Sequence, residues 1–141
     1  MVKVVIQAID TYRHDYWKVP VNLLVNLNIV EEITEYSFLG SSDTPLNEKG
    51  FAYLEIDCDC GTFDKAMKFY NQEYSLDFDT LQEELEENYD DPRDWMDEMD
   101  NYDTDVLAED YKWESTPSDL AAFLTADDEE EDEYDDEEDE E

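Results

Sequence analysis

The run FAYLEIDCDCGTFDKAMKFY, residues 51–70, decides the fold class. Its first half alternates. Ala52, Leu54, Ile56 and Cys58 stand between Phe51, Tyr53, Glu55 and Asp57, the period of two of a strand whose faces meet different surroundings. Gly61 ends the alternation, and Thr62 is placed to cap a helix in which Phe63, Ala66, Met67 and Tyr70 recur at i, i+3, i+4 and i+7. A strand handing over to one amphipathic helix predicts an α+β fold: a small, mostly antiparallel sheet with this helix on one face.

Upstream, Val2, Val4 and Ile6 alternate while Val5 and Ile9 thicken the run, so residues 2–10 predict a well-buried strand. Val21, Leu23, Val25, Leu27 and Ile29 alternate with Asn22, Asn26 and Asn28, which favours a second strand, with Leu24 leaving a helix as the lesser alternative. Ile33 to Leu39 is a third candidate strand, and the Gly, Ser and Pro of residues 40–45 signal a loop.

Downstream, the pattern changes to short acidic helices. Asp79 and Gln82 have capping-box spacing ahead of Leu81 and Leu85. Asp91 and Pro92 read as the cap and first residue of a helix with Trp95, Met96, Met99 and Tyr102 on its apolar side. Val106, Leu107 and Tyr111 suggest a further short helix. Thr116 and Pro117 open a last one, with Asp119 at its third position and Leu120, Phe123 and Leu124 inward.

Charge divides the 141 residues into three parts: residues 1–70, a β-rich α+β core with net charge -5; residues 71–126, an acidic helical segment packed on that core, net -17; and residues 127–141, net -14. The last part has Tyr134 as its one apolar side chain and predicts a disordered acidic tail. The whole chain carries 44 Asp and Glu against 8 Lys and Arg, which excludes direct nucleic-acid binding and argues against docking on anionic membranes. Yet 13% of residues are aromatic, more than a wholly disordered acidic chain would hold. No signal-peptide pattern stands at the start, and the longest apolar stretch, Val19 to Val30, is too short and too polar to span a bilayer, so a cytoplasmic protein is expected.

Catalytic signals are weak, and no enzyme activity or cofactor is expected. The single histidine, His14, sits between Arg13 and Asp15 and reads as a surface loop residue. Residues 57–61, DCDCG, start like a calcium loop, but the glycine comes one place early and Lys68 stands where the bidentate glutamate belongs. Cys58 and Cys60 would point to opposite faces of a strand, against a disulfide, and two thiols with one imidazole close no zinc site without carboxylates from elsewhere. No metal site is expected on these grounds.

What remains is the charge. A net charge of -36 strains the compact state by self-repulsion, and a basic partner would relieve it. Tyr74, Tyr89, Trp95, Tyr102, Tyr111 and Trp113 lie among the acids of the middle segment, most as packing residues and a minority as interface anchors. In this composition residues 71–141 resemble the phage-encoded DNA-mimic proteins, of which the anti-restriction proteins are the nearest class. The resemblance implies a protein that inhibits by occupying the basic DNA-binding groove of a host-defence or DNA-processing protein, in the host cytoplasm if phage-encoded. The expected partner-binding residues are Glu83, Glu84, Glu86, Glu87, Asp90, Asp91, Asp94, Asp97, Glu98, Asp100, Asp103 and Asp105. The alternative is an acidic chaperone or adaptor that sequesters basic proteins through its C-terminal tail. Separately, residues 17–20 (WKVP) and 54–67 are similar to segments of small phage and bacterial proteins, which implies a shared α+β module and no activity.

Overall fold

The computed structural model describes residues 4–12 and 14–113. The last predicted helix, residues 116–124, and the acidic tail, 127–141, lie outside the described residues. The fold is α+β. Among the described residues, eight strands, β1 (Val4–Asp10), β2 (Asp15–Pro20), β3 (Phe38–Leu39), β4 (Asp43–Thr44), β5 (Asn47–Glu48), β6 (Phe51–Glu55), β7 (Tyr74–Asp77) and β8 (Asp100–Asn101), are interspersed with five helices. The helices are α1 (Val21–Asn26), α2 (Cys60–Phe69), α3 (Thr80–Asn88), α4 (Pro92–Glu98) and α5 (Thr104–Asp110), with a 3-10 turn at Val30–Glu32. Six strands form one sheet in the order β7-β1-β2-β6-β3-β8, and β4 and β5 pair as a separate hairpin. The sheet is antiparallel except where β7 lies parallel to β1.

Alternation along the strands loads both faces. Ile6, Ala8, Trp17, Val19, Ala52 and Leu54 face one side, where Leu24 of α1, Phe63, Ala66 and Met67 of α2, and Leu107 of α5 cover them. Ile9, Tyr16, Phe38 and Tyr53 face the other, beneath Leu81 and Leu85 of α3 and Trp95 of α4. The acidic segment therefore supplies strands as well as helices, and its helices cover both sides of the sheet.

Several expectations are corrected. Residues 21–29 are not a strand; residues 21–26 are a helix. Asn22 and Asn26 are exposed and four apart, a spacing that fits a helical face as well as alternation, while Val21, Leu24 and Leu27 are buried at helical spacing. The second strand is instead DYWKVP, residues 15–20, central in the sheet and buried on both faces, so no polar alternation marked it. Of residues 33–39 only Phe38 and Leu39 pair, and the expected loop of residues 40–45 contains β4. The strand at 51 ends at Glu55, so Ile56 and Cys58 lie beyond it. Helix α2 starts at Cys60 with Asp59 as its cap, placing Gly61 and Thr62 inside the first turn. No capping box forms at α3: the Gln82 side chain reaches out from the helix and clamps the backbone of Asp10, accepting from its N–H at 2.7 Å and donating to its carbonyl at 3.2 Å. Asp77 takes the capping role, accepting from the N–H of Asp79 and of Thr80. The start of α4 is as expected, with Asp91 accepting from the Arg93 N–H. Its apolar side is shorter, because Met99 ends the helix and Tyr102 packs on the opposite face.

Two helix ends use asparagine where glycine is the usual choice. Asn28 (φ 60°) and Asn71 (φ 58°) are both left-handed. In each the following N–H reaches back five residues, Ile29 to Leu24 and Gln72 to Met67, while the asparagine N–H bonds three residues back. This pairing satisfies the last carbonyls of α1 and α2. Gly40 answers a different need, since a Cβ there would lie 1.9 Å from the carbonyl oxygen of Glu48. Because Asn71 is exposed, its substitutions isolate the backbone term. Asn71→Gly should leave the unfolding free energy within a few tenths of a kcal/mol, and Asn71→Val should lower it by about 1–2 kcal/mol, measured by urea denaturation.

Candidate functional site

The acids expected to bind a partner stand on a rigid support. Helix α3 is nine residues, about 13.5 Å of axis, and carries Glu83, Glu84, Glu86 and Glu87. Leu81 and Leu85, both essentially fully buried, hold it to the sheet. Helix α4 carries Asp94, Asp97 and Glu98, and its Trp95 is fully buried. The Trp95 indole N–H donates to the Leu46 carbonyl at 2.7 Å, and its ring meets Tyr16, Phe38 and Tyr53 edge-on with centroids 5.3–5.7 Å apart. The support continues beneath. Lys18, buried in the sheet, donates to the Pro45 carbonyl and to Glu48, and the Tyr53 hydroxyl joins Pro45 and the Glu48 N–H.

Ten of the twelve nominated acids are exposed, and Glu84 and Asp91 are half-buried. They do not share one plane. The nine from Glu83 to Glu98 belong to α3, α4 and their junction on one side of the sheet. Asp100 lies on the edge strand β8, and Asp103 and Asp105 stand at the start of α5 on the opposite side. Some have work inside the fold: Asp91 and Asp103 cap α4 and α5, Asp91 also pairs with Arg93 at 2.9 Å, and Glu98 accepts from the Tyr89 hydroxyl. Burial and then Glu98 push the Tyr89 phenol up to about 12. In the sequence Arg93 is the one basic residue between 83 and 105, so most of this charge faces outward uncompensated.

A second concentration of charge lies at one end of the sheet, where sequence reasoning placed only a surface histidine and a failed calcium loop. His14, Glu55, Asp57 and Cys58, with Tyr16, Tyr36, Phe38 and Met96, line a cleft of about 420 Å³ between the sheet and α4. Glu55 is 4% exposed. Its Oε1 accepts from the Cys58 N–H at 2.8 Å, and its Oε2 lies 2.8 Å from Nδ1 of His14. His14 is thus a contact of a buried carboxylate, not an isolated loop side chain. Asp59 is wholly buried beside it and accepts from the Thr34 N–H and hydroxyl and from the Ser37 hydroxyl. Ser37 in turn accepts from the Glu55 N–H. Cys58 and Cys60 are both free thiols. Burial and then Glu55 raise the Cys58 thiol to about 11 and the Tyr16 phenol to about 12. The Asp15 carboxyl is raised by burial and by Asp10, Asp57 and Glu55. Burial raises Asp59 against the lowering effect of its hydrogen bonds. The signal for this site was the clustering of His14 and Asp15 with Glu55 and Asp57, but only the β2–β6 pairing, Tyr16 opposite Glu55, brings the two segments together.

No family model, curated protein or solved structure matches the chain. Among the described residues no helix is long and apolar enough to cross a membrane.

Burial, and after it repulsion between carboxylates, fixes the sign of the pH dependence at this sheet end. A carboxyl raised in the folded state holds its proton more tightly there than in the unfolded chain. Its contribution is present below the ordinary aspartate value and is lost as pH rises through the raised one. Acidifying from neutral pH toward the carboxyl range should therefore raise the melting temperature, with Asp77, whose carboxyl is lowered by its capping bonds, opposing in part. Asp15→Asn should raise the melting temperature at pH 7 and flatten this slope. Added salt should also raise it, by screening the surface charges. Calorimetry across pH and ionic strength checks all three.

Proposed function

We propose that this protein is a DNA-mimic-like inhibitor that occupies the basic DNA-binding groove of a host-defence or DNA-processing protein. The observation that supports this reading is the linear charge density of the two helices that Leu81, Leu85 and Trp95 anchor. Averaged over its axis of about 13.5 Å, helix α3 bears one glutamate per roughly 3.4 Å, the rise per phosphate along one DNA strand, with all four inside residues 83–87. Averaged over the axis of α4, about 10.5 Å, its three acids give a similar density, all inside residues 94–98, and the two helices are in contact. Two such rows on a fixed support approach the charge pattern of a duplex without its flexibility. A groove that binds phosphates through Lys and Arg would accept these carboxylates through charge-assisted hydrogen bonds. Its field would steer the encounter. Such a target places the protein in the cytoplasm, that of the host if the chain is phage-encoded.

The interaction would be exposed to competition by DNA. In capture from bacterial lysate, duplex DNA added as competitor should release a small set of DNA-handling proteins. Converting Glu83, Glu86, Glu87, Asp94 and Asp97 to their amides should abolish that capture, while deleting residues 127–141 should leave most of it. Partners that resist excess duplex, or that depend on the tail alone, would overturn the mimic in favour of an acidic adaptor or chaperone.

A further inference from the structure

The cleft at the sheet end holds three potential metal ligands of different origin. His14 precedes β2, Glu55 closes β6, and Asp57 lies in the turn that leads to α2. Their ligand atoms lie within 4.8 Å of one another, and among the described residues this is the one group of three or more such side chains so placed. In a chain with 44 acids, close carboxylates alone mean little. Here the single histidine of the sequence is part of the cluster, and the geometry of Glu55 adds an independent observation. The Glu55 side chain is buried, its Oε1 is fixed by the Cys58 N–H, and among the described residues its Oε2 has no hydrogen-bond partner unless Nδ1 of His14 carries a proton. That oxygen is aimed at Nδ1 of His14, 2.8 Å away. A buried carboxylate oxygen without a partner is expensive, because it has given up water for nothing. The imidazole relieves that cost only when Nδ1 carries a proton. A cation between the two atoms relieves it with Nδ1 bare.

We propose that His14, Glu55 and Asp57 bind one divalent first-row transition metal ion, with Nδ1 of His14 and Oε2 of Glu55 as adjacent ligands. Ligands about 2.0–2.2 Å from an ion lie roughly 2.8–3.1 Å apart at a right angle and roughly 3.3–3.6 Å apart at the tetrahedral angle, so the 2.8 Å between Nδ1 and Oε2 needs to open by less than an ångström. Asp57 is exposed, with a carboxylate oxygen within 4.8 Å of both other ligand atoms. One imidazole with two carboxylates favours zinc-like ions over magnesium or calcium, which take all-oxygen sets. Three protein ligands also leave positions open toward the cleft beside Tyr16 and Phe38, the arrangement of an accessible ion and not of a closed structural one. Asp15 and Asp59 stand close by and deepen the negative field that draws a cation in. The carboxylates missing from any pairing of His14 with the two cysteines are thus supplied by the strand end and the turn.

Because His14 is the only histidine, its ring resonances report the site without ambiguity. Zn2+ is titrated into the full chain in a large excess of Mg2+, which occupies loose carboxylate sites. The expected result is a shift of the His14 ring signals that saturates at one equivalent. His14→Gln and Asp57→Asn, both at exposed positions, should each weaken Zn2+ binding about tenfold or more, and Cys58→Ser should leave it unchanged. Ring signals that do not move at one equivalent would overturn the proposal. So would an affinity unchanged in both variants, or one that is lost with Cys58 instead.

Discussion

Trp95 holds the acidic half of the chain to the sheet. It is the largest fully buried side chain on its face, and α4 offers little else to bury, since its other residues inward of the solvent are Pro92 and the half-buried Met96. The indole N–H bond to Leu46 ties the helix to the β4–β5 hairpin, while the ring stacks edge-on against aromatic side chains from β2, β3 and β6. One residue thus bridges three strands, a hairpin and a helix. Truncating a tryptophan in such a place removes about 3–5 kcal/mol, a large share of the stability of a domain this size. A helix of seven residues has no stability of its own in water. The carboxylates of α4 keep a defined position only because this ring does.

That dependence follows from the charge. Acidic helices repel one another and the sheet edge, so each must be fastened by a few wholly buried contacts. Leu81 and Leu85 fasten α3, with Gln82 clamping Asp10, and Leu107 fastens α5. Capping carboxylates at Asp77, Asp91 and Asp103 turn part of the excess charge to use, since each accepts from backbone N–H groups that a helix start leaves unpaired. The sheet end is managed differently. Asp59 is satisfied by the hydroxyls of Thr34 and Ser37 and by a backbone N–H, which ties the 34–37 segment to the start of α2. Glu55 is held through one oxygen by the Cys58 N–H, and its other oxygen meets Nδ1 of His14 at the cleft. The outward acids of α3 and α4 and the inward acids of the cleft are therefore two distinct electrostatic features of one chain.

Legibility followed the strength of local pattern. The strand at Val4–Asp10, the strand beginning at Phe51, the helix after Asp59, the helices near residues 80 and 104 and the capped start at Asp91 were readable, because amphipathic period and a cap residue are local. Residues 15–20 were missed because a strand buried on both faces carries no alternation, and residues 21–26 were misread because asparagines four apart satisfy both periods. Strand β7 left no strong mark, being four half-buried residues whose place beside β1 depends on the crossover through α2. The acids of residues 83–105 were visible as a run, but not their division between two sides of the sheet. Burial alone revealed Glu55 as different from the other glutamates.

The sequence by itself determined the α+β class, the net charge, the short acidic helices and the apolar residues that would anchor them. Each of these is set by composition or by spacing within a dozen residues. The tertiary structure alone decided which acids face outward together and which close on His14, because those groupings come from strands 35–70 residues apart pairing in register, Tyr16 with Glu55 and Val4 with Tyr74. Register is a property of the assembled sheet. A carboxylate becomes part of a surface or part of a cleft only when the pairing places it on one face or at one end.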